Sequence, residues 1–133
     1  RALQIAATKG AKRSVLLPVS APFHCALMQP AAEAMAGALA KVSVLAPCVP
    51  LIANVIAGPV SSPTEIKRLL VEQVCGTVRW RESVLKMMEL GVDTLVEAGS
   101  GKVLAGLVKR IDKEMSALSL NLPADIEAFL KNS

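Results

Sequence analysis

The feature that most constrains the fold is an alternation of strand-like and helix-like segments, clearest in DTLVEAGSGKVLAGLVKRI at residues 93–111. There an apolar run is followed by a glycine-containing turn and then by apolar residues at helical spacing. A further strand is predicted over MSALSLN at residues 115–121, and a helix from Pro123 to Lys131. Strands that alternate with helices are typical of α/β proteins. We therefore expect an α/β fold.

The first 45 residues continue this alternation. Residues 1–9 are predicted to be the end of a helix closed by Gly10, so that the chain begins within an element. The segment SVLLPVS at residues 14–20 is predicted to be a strand. Pro30 suits the first turn of a second helix. The apolar residues that recur at helical spacing in that helix are Ala32, Met35, Ala36, Leu39 and Val42.

The middle of the chain predicts one strand and two helices. VPLIANV at residues 49–55 is apolar at successive positions, as in a strand covered on both sides within a parallel sheet. Residues 62–65 read Ser-Pro-Thr-Glu, the form of a capping box, and predict a helix that runs to about Cys75. A further helix is predicted over residues 79–90 and closed by Gly91. The residues predicted to face the core are Ile66, Leu69, Leu70, Val74, Trp80, Val84, Met87 and Met88.

Composition makes a membrane-spanning helix the first alternative to test, because 53% of the 133 residues are hydrophobic. The longest uncharged stretch, residues 42–64, is long enough to cross a bilayer but contains four prolines. The sequence also shows no cationic start followed by an apolar run and a small-residue cleavage site. We therefore expect one domain, no membrane association and a cytoplasmic location.

The three cysteines, Cys25, Cys48 and Cys75, are odd in number and form no C-x-x-C pair. This argues against a disulfide framework and against a zinc site, so we expect no metal and buried free thiols. Aromatic residues make up only 2% of the chain, too few for a stacking platform, and we expect no nucleic-acid partner. The net charge of +4 fits either a solvated surface or an acidic protein partner.

The turn Gly99-Ser100-Gly101-Lys102 resembles a phosphate-binding loop only at first sight. A Walker loop requires glycine at position 96 and serine or threonine at position 103, and both positions hold valine. A dinucleotide fingerprint requires glycine at position 104, which is leucine. We therefore predict that these glycines permit a tight turn and close helix packing.

His24, the only histidine, lies in LPVSAPFHCALMQP between a predicted strand and a predicted helix. A histidine at such a position is either a general base or an ordinary loop residue. The chain has no G-x-S-x-G elbow to supply a serine nucleophile. Cys25 is an alternative nucleophile, although side chains of sequence neighbours seldom face each other.

Several separated motifs together resemble one family. The segments LPVSAPFHCALMQPAAEAMA, VPLIANV and VEQVCGTVRWRESVLKMMELGVDTLVEAGSGKVLAGLVKRI resemble the C-terminal half of bacterial malonyl-CoA:acyl carrier protein transacylases, in the family's order and spacing. The resemblance implies an α/β-hydrolase-like large subdomain with a ferredoxin-like small subdomain inserted in it. Residues 1–20 would be the end of the small subdomain and residues 21–133 the C-terminal part of the large one. Ser100 stands where the family commonly has proline.

The resemblance also implies an activity. These enzymes move a malonyl group from coenzyme A to the pantetheine thiol of acyl carrier protein through a malonyl-serine intermediate, in fatty acid biosynthesis. Malonyl-CoA is a substrate, and no cofactor or metal is implied. His24 would be the catalytic base, and the backbone carbonyl of Gln73 would hold its imidazole; the alternative is that Gln73 is an ordinary surface residue. The family's serine, carboxylate-binding arginine and oxyanion-hole glutamine would precede residue 1.

Further expectations follow from the resemblance. Phe23 is either a wall that excludes branched acyl groups or a core residue. Four basic residues, Arg79, Arg81, Lys102 and Lys109, are candidates for docking the acidic acyl carrier protein, an attraction that salt weakens. We expect the complete enzyme to be a monomer and residues 1–133 alone to be inactive. The alternative function is a non-catalytic α/β interaction module that retains half of the acyltransferase fold.

Overall fold

The computed structural model describes residues 1–16 and 18–131, and it has the expected mixed α/β composition. The helices are α1 (Ala2–Thr8), α2 (Gln29–Ala40), α3 (Pro63–Cys75), α4 (Trp80–Glu89), α5 (Val103–Ile111) and α6 (Pro123–Lys131), with a 3₁₀ turn at Ala26–Met28. The strands are β1 (Leu51–Ala53), β2 (Gly58–Val60), β3 (Thr94–Ala98) and β4 (Ser116–Leu120).

The predicted strand–turn–helix–strand unit is confirmed. β3 and β4 pair in parallel, with Thr94 opposite Ser116 and Ala98 opposite Leu120, and α5 forms the crossover between them. The tight turn before α5 uses two glycines in the left-handed region, Gly99 at φ 138° and Gly101 at φ 99°. Side chains other than glycine rarely adopt these angles, so the glycines permit the turn, as predicted.

A first core lies where α4 and α5 cover the β3–β4 pair. Val84, Val108 and Met115 are buried there. Trp80, Met87 and Met88 of α4 pack against these three residues, which confirms the predicted inward face of that helix. Gly91 ends the turn after α4 at φ 86°, also as predicted.

A second core lies between α3 and the strands β1 and β2. Its buried residues are Ala53, Val60, Ile66 and Leu69. α3 begins as the capping box predicts, because the Ser62 hydroxyl accepts a hydrogen bond from the Glu65 amide at 3.5 Å. The predicted core position of Leu70 is wrong, since 48% of this side chain is exposed at the edge of the apolar stripe.

A strand is present within residues 49–55, at Leu51–Ala53, but the predicted parallel pairing is wrong. β1 instead forms an antiparallel hairpin with β2, with Leu51 opposite Val60. The intervening turn, residues 54–57, reverses the chain with Ala57 at φ 50° instead of with a glycine. Alanine is uncommon in this left-handed region, so the turn carried no sequence signal.

The prediction of a strand at SVLLPVS is also wrong for the residues that the structure describes. Residues 14–16 and 18–20 form no strand, and Leu17 lies outside the described residues. Val15, Leu16 and Val19 are each more than half exposed. An apolar pattern only permits a strand, which also needs a neighbouring strand to bond its backbone groups.

The cysteines are free, as expected, but they are not all buried. Cys48 is exposed, and Cys25 and Cys75 are half-buried. The proline-rich loop that holds Cys48 explains its exposure, because the loop lies outside both cores. Within residues 1–16 and 18–131, no helix is both long and apolar enough to cross a membrane.

Candidate functional site

The backbone of His24 adopts a left-handed conformation, with φ at 58°. This region costs a non-glycine residue about 1–3 kcal/mol, so the surrounding contacts must hold it. The residue lies two positions before the 3₁₀ turn Ala26–Met28, which leads into α2. The side chain is exposed. Strain of this kind together with exposure is typical of functional residues.

Two backbone carbonyls hold one nitrogen of the His24 ring. Nδ1 lies 3.2 Å from the carbonyl oxygen of Gln73 and 3.0 Å from that of Gly76. Both carbonyls are free to accept because α3 ends at Cys75, so no later helical amide reaches them. The predicted contact between Gln73 and His24 therefore exists, and Gly76 supplies a second contact that sequence reasoning missed.

These contacts fix which ring nitrogen carries the proton. A carbonyl oxygen only accepts hydrogen bonds, so Nδ1 must be the N–H donor to Gln73 and Gly76. In the neutral imidazole this leaves the lone pair on Nε2. The arrangement can therefore take up a proton at Nε2 without breaking either contact at Nδ1.

Phe23 and Cys25 flank His24 in different ways. Phe23 is 53% exposed, so it is not a core residue of this chain, and its role as a wall beside the acyl group stays a prediction. The thiol of Cys25 contacts the carbonyl oxygen of Pro22 at 3.0 Å. A thiol that donates to a backbone carbonyl is not activated by a base, which argues against Cys25 as the nucleophile.

The backbone amides in the first turn of α5 are capped by a side chain of the protein itself. The Glu97 carboxylate accepts hydrogen bonds from the amides of Leu104 at 3.2 Å and Ala105 at 2.9 Å, in the first turn of α5. Phosphate groups bind to such amides at helix N-termini. Because Glu97 accepts from these amides, they are not open to a phosphate group.

The same hydrogen bonds shift the acidity of Glu97. Donation from the Ala105 amide, above all, holds the pKa of this carboxyl below its ordinary value of 4.5, against a smaller opposing effect of desolvation. Asp125 is similar at α6, where hydrogen bonds from the Leu122 and Asn121 amides lower the pKa of its carboxyl.

The four basic docking candidates differ in their surroundings. The Arg79 guanidinium donates to the carbonyl oxygen of Ile56 at 3.2 Å and lies 3.7 Å from the Glu82 carboxylate. Arg79 therefore has structural partners and is a weaker docking candidate. Arg81, Lys102 and Lys109 are exposed and stay candidates.

Asn54 is a second residue that sequence reasoning missed. Its side-chain oxygen accepts from the Arg79 amide at 2.9 Å, and its side-chain nitrogen lies 3.4 Å from the hydroxyl of buried Ser83. It thereby joins the turn after β1 to the start of α4. An asparagine inside the segment predicted as a strand, where this residue type is depleted, was the only available signal.

Residues 1–16 and 18–131 contain no group of three or more His, Cys, Asp or Glu side chains that could hold a metal ion.

Comparison with known proteins identifies relatives over nearly the whole chain. It is 46% identical over 121 residues to the malonyl CoA-acyl carrier protein transacylase of Salmonella typhimurium, covering 91% of this chain and 39% of the relative. It is 40% identical over 130 residues to the Bacillus subtilis protein of the same name, covering 98% of this chain and 41% of that relative. No family model matches the chain.

Solved structures give the same result. The acyl-carrier-protein S-malonyltransferase of Bartonella henselae matches with a TM-score of 0.88 and 57% identity, over 98% of this chain and 42% of that one. A malonyl-transacylase solved in complex with a type II polyketide synthase acyl-carrier protein matches with a TM-score of 0.88 and 40% identity, over 99% of this chain and 43% of that one.

The fold and these matches define the chain as part of an acyltransferase scaffold. More particularly, it is homologous to the bacterial malonyl-CoA:acyl carrier protein transacylases of fatty acid biosynthesis. The chain spans about two fifths of the length of these relatives. A chimera in which residues 1–133 replace the matching segment of the Bartonella henselae enzyme therefore offers a full-length setting for experiments. We refer to it below as the chimera.

The hydrogen bonds of Glu97 predict a pH-dependent start of α5. Because its pKa is lowered in the folded state, the stabilisation is fully present above the ordinary pKa of 4.5. It is lost as the pH falls through the lower folded value. Hydrogen exchange in the chimera should show protection factors at Leu104 and Ala105 that decrease over this range.

Two substitutions serve as the test and its control. Glu97→Gln should make this protection independent of pH. Glu127→Gln, an exposed glutamate on α6, should leave the pH dependence intact. Protection at Leu104 and Ala105 that responds equally to both substitutions would contradict the assignment to Glu97.

Proposed function

We propose that this chain supplies the histidine of a malonyl transfer from coenzyme A to the pantetheine thiol of acyl carrier protein. His24 acts as the general base and acid, and a serine in the remainder of the enzyme acts as the nucleophile. The observation that carries the proposal is the contact between His24 Nδ1 and the Gln73 carbonyl oxygen at 3.2 Å. Homology to malonyltransferases supports it.

In the first half of the reaction, Nε2 of His24 removes the proton from the serine hydroxyl as its oxygen attacks the thioester carbonyl. The bond between that carbonyl carbon and the coenzyme A sulfur then breaks. The proton on Nε2 passes to the departing thiolate, which leaves a malonyl-serine ester.

The second half repeats these steps with the thiol of acyl carrier protein. Nε2 removes the thiol proton as the sulfur attacks the ester carbonyl carbon. The bond between that carbon and the serine oxygen then breaks, and the proton on Nε2 passes to the serine oxygen. Throughout, the carbonyls of Gln73 and Gly76 stay bonded to Nδ1–H and keep the ring in one orientation. These two backbone carbonyls thus orient the imidazole, a role that a carboxylate has in most serine hydrolases.

Acyl carrier protein is the proposed partner of this chain, by analogy with the relative solved in complex with such a protein. Acyl carrier proteins are acidic, and the exposed basic residues Arg81, Lys102 and Lys109 are the docking candidates. A Michaelis constant for acyl carrier protein that does not change with salt would contradict this role.

Finer features of the enzyme stay predictions. These are the assignment of residues 1–20 to a ferredoxin-like small subdomain and of residues 21–133 to an α/β-hydrolase-like large one. The cytoplasmic location and the monomeric state of the complete enzyme belong with them. The alternative of a non-catalytic interaction module requires that the sequence preceding this segment lack a G-H-S-x-G elbow.

The proposed roles of His24 and Gln73 predict opposite results for two alanine substitutions. His24→Ala removes the base and should lower kcat of the chimera by about 100-fold or more. Gln73→Ala keeps the backbone carbonyl and should leave kcat close to the parent value. The measurement is malonyl transfer to acyl carrier protein, with unfolding temperatures recorded for both variants. An active His24→Ala variant would remove the proposal.

Phe23 is proposed to restrict the acyl group. A bulky ring beside the malonyl carbon leaves little room for an added methyl, an exclusion worth about 1–3 kcal/mol. Phe23→Ala and Phe23→Ser should therefore raise the use of methylmalonyl-CoA relative to malonyl-CoA, and Phe23→Leu should raise it less. The ratio of kcat/KM values for the two substrates is the readout. An unchanged ratio would show that selectivity depends on other residues.

An apolar cleft supports the view that the chain needs a partner segment to function. The cleft has a volume of about 590 Å³ and is bordered by β1, α4, β3 and α5. Trp80 lines it, and the ring nitrogen of Trp80 is buried without a hydrogen-bond partner among the described residues. Buried donors are nearly always satisfied in complete proteins. We infer that the remainder of the enzyme covers this cleft.

Residues 1–133 alone should therefore be inactive and should associate through their apolar surfaces. The test incubates the isolated chain with malonyl-CoA and measures a malonyl adduct by intact mass, with acyl carrier protein added in a parallel reaction. The chimera serves as the positive control. A monodisperse isolated chain that acquires or transfers malonate would contradict the prediction and would require a nucleophile within this segment.

A further inference from the structure

Gly76 contributes the nearer of the two carbonyls that hold the His24 ring, at 3.0 Å compared with 3.2 Å for Gln73. We propose that Gly76 is a positioning residue of the site and that its contact with Val55 sets where this carbonyl lies. The inference rests on the proposed role of His24 as the catalytic base. It adds Gly76 to the residues that orient His24, and it gives a structural reason for the position of the Gly76 carbonyl.

Position 76 requires glycine because a Cβ atom there would be too close to neighbouring atoms, and not because of its backbone conformation. Gly76 has φ −79° and ψ 151°, an extended conformation that any residue adopts. A Cβ atom there would lie 2.8 Å from Cγ2 of Val55 and 3.0 Å from the carbonyl oxygen of Glu72. Both distances are shorter than ordinary van der Waals contact. A side chain at position 76 would therefore have to push something aside.

Val55 cannot easily move away. It lies in the turn between β1 and β2 and packs against the core formed by Ala53, Val60, Ile66 and Leu69. Val55 is half-buried and its branched side chain has few rotamers, so Cγ2 has few alternative positions. The movement would therefore fall on the backbone of residue 76, the segment whose carbonyl accepts the hydrogen bond from His24.

This contact connects the hairpin to the site. The turn after β1 fixes Val55, Val55 limits the approach of Gly76, and Gly76 together with Gln73 orients the imidazole. Displacement of a catalytic group by about 1 Å can lower a rate by about 100-fold. A single methyl group at position 76 should therefore reduce catalysis although it touches no substrate.

The test is Gly76→Ala in the chimera, which should lower kcat by about tenfold to 100-fold while the Michaelis constant for malonyl-CoA stays near the parent value. A purely structural role would lower the unfolding temperature and the amount of folded enzyme without changing kcat per folded molecule. Gly37→Ala is the matched control, because a Cβ at position 37 in α2 would meet no atom within 4 Å.

A second substitution tests the cause. Val55→Ala removes the methyl group that a Cβ at position 76 would strike, so Gly76→Ala combined with Val55→Ala should recover most of the lost kcat. Val55→Ala alone is the reference for this comparison, because it removes part of the contact that positions Gly76, and its kcat should fall less than that of Gly76→Ala. If Gly76→Ala does not fold, the double variant compared with Val55→Ala still tests the proposal. The remaining contact with the Glu72 carbonyl should keep kcat of the double variant below that of Val55→Ala.

The outcomes separate this inference from the proposed function. An inactive chimera, or an active His24→Ala variant, would contradict the proposed function itself. An active chimera that depends on His24 but has an unchanged kcat in Gly76→Ala would overturn only the inference about Gly76. Loss of kcat without recovery on Val55→Ala would overturn the contact with Val55 as its cause.

Discussion

The candidate site depends on the interaction between the His24 ring and the backbone carbonyls at the end of α3. A helix leaves its last carbonyls without intrahelical partners, and here two carbonyls at that end accept from one imidazole nitrogen. The histidine gains a fixed tautomer, and the helix gains a donor for carbonyls that would otherwise need water. His24 has a strained φ, and these two contacts hold its ring while the 3₁₀ turn follows two residues later.

Everything that positions α3 therefore also positions the imidazole. Ser62 fixes the start of the helix, and Ile66 and Leu69 anchor its buried face against the β1–β2 hairpin. Asn54 then joins the hairpin turn to the start of α4 through the Arg79 amide. These contacts connect the two cores, each of which is small. The site lies beside the core that contains α3, and the start of α5, capped by Glu97, lies beside the other.

Local signals in the sequence predicted much of this arrangement. The capping box, the glycine turn before α5 and the closing Gly91 each act through a few neighbouring residues, and all three appear in the structure. The partners of the strands were not predictable in this way. Pairing of β1 depends on a turn through Ala57 that has no characteristic residue, and SVLLPVS had an apolar pattern but no neighbouring strand. The contact between Gln73 and His24, 49 residues apart, was accessible only through the family resemblance.

The contacts that orient His24 are all formed among the described residues, although many apolar side chains of these residues are exposed. Among the described residues, nine hydrophobic side chains are buried while twenty-four large ones are exposed. The imidazole geometry is nevertheless complete, because it is built from one helix end and one adjacent loop. The imidazole is therefore oriented by contacts within this segment. In the proposed reaction, the nucleophile that approaches Nε2 comes from the remainder of the enzyme.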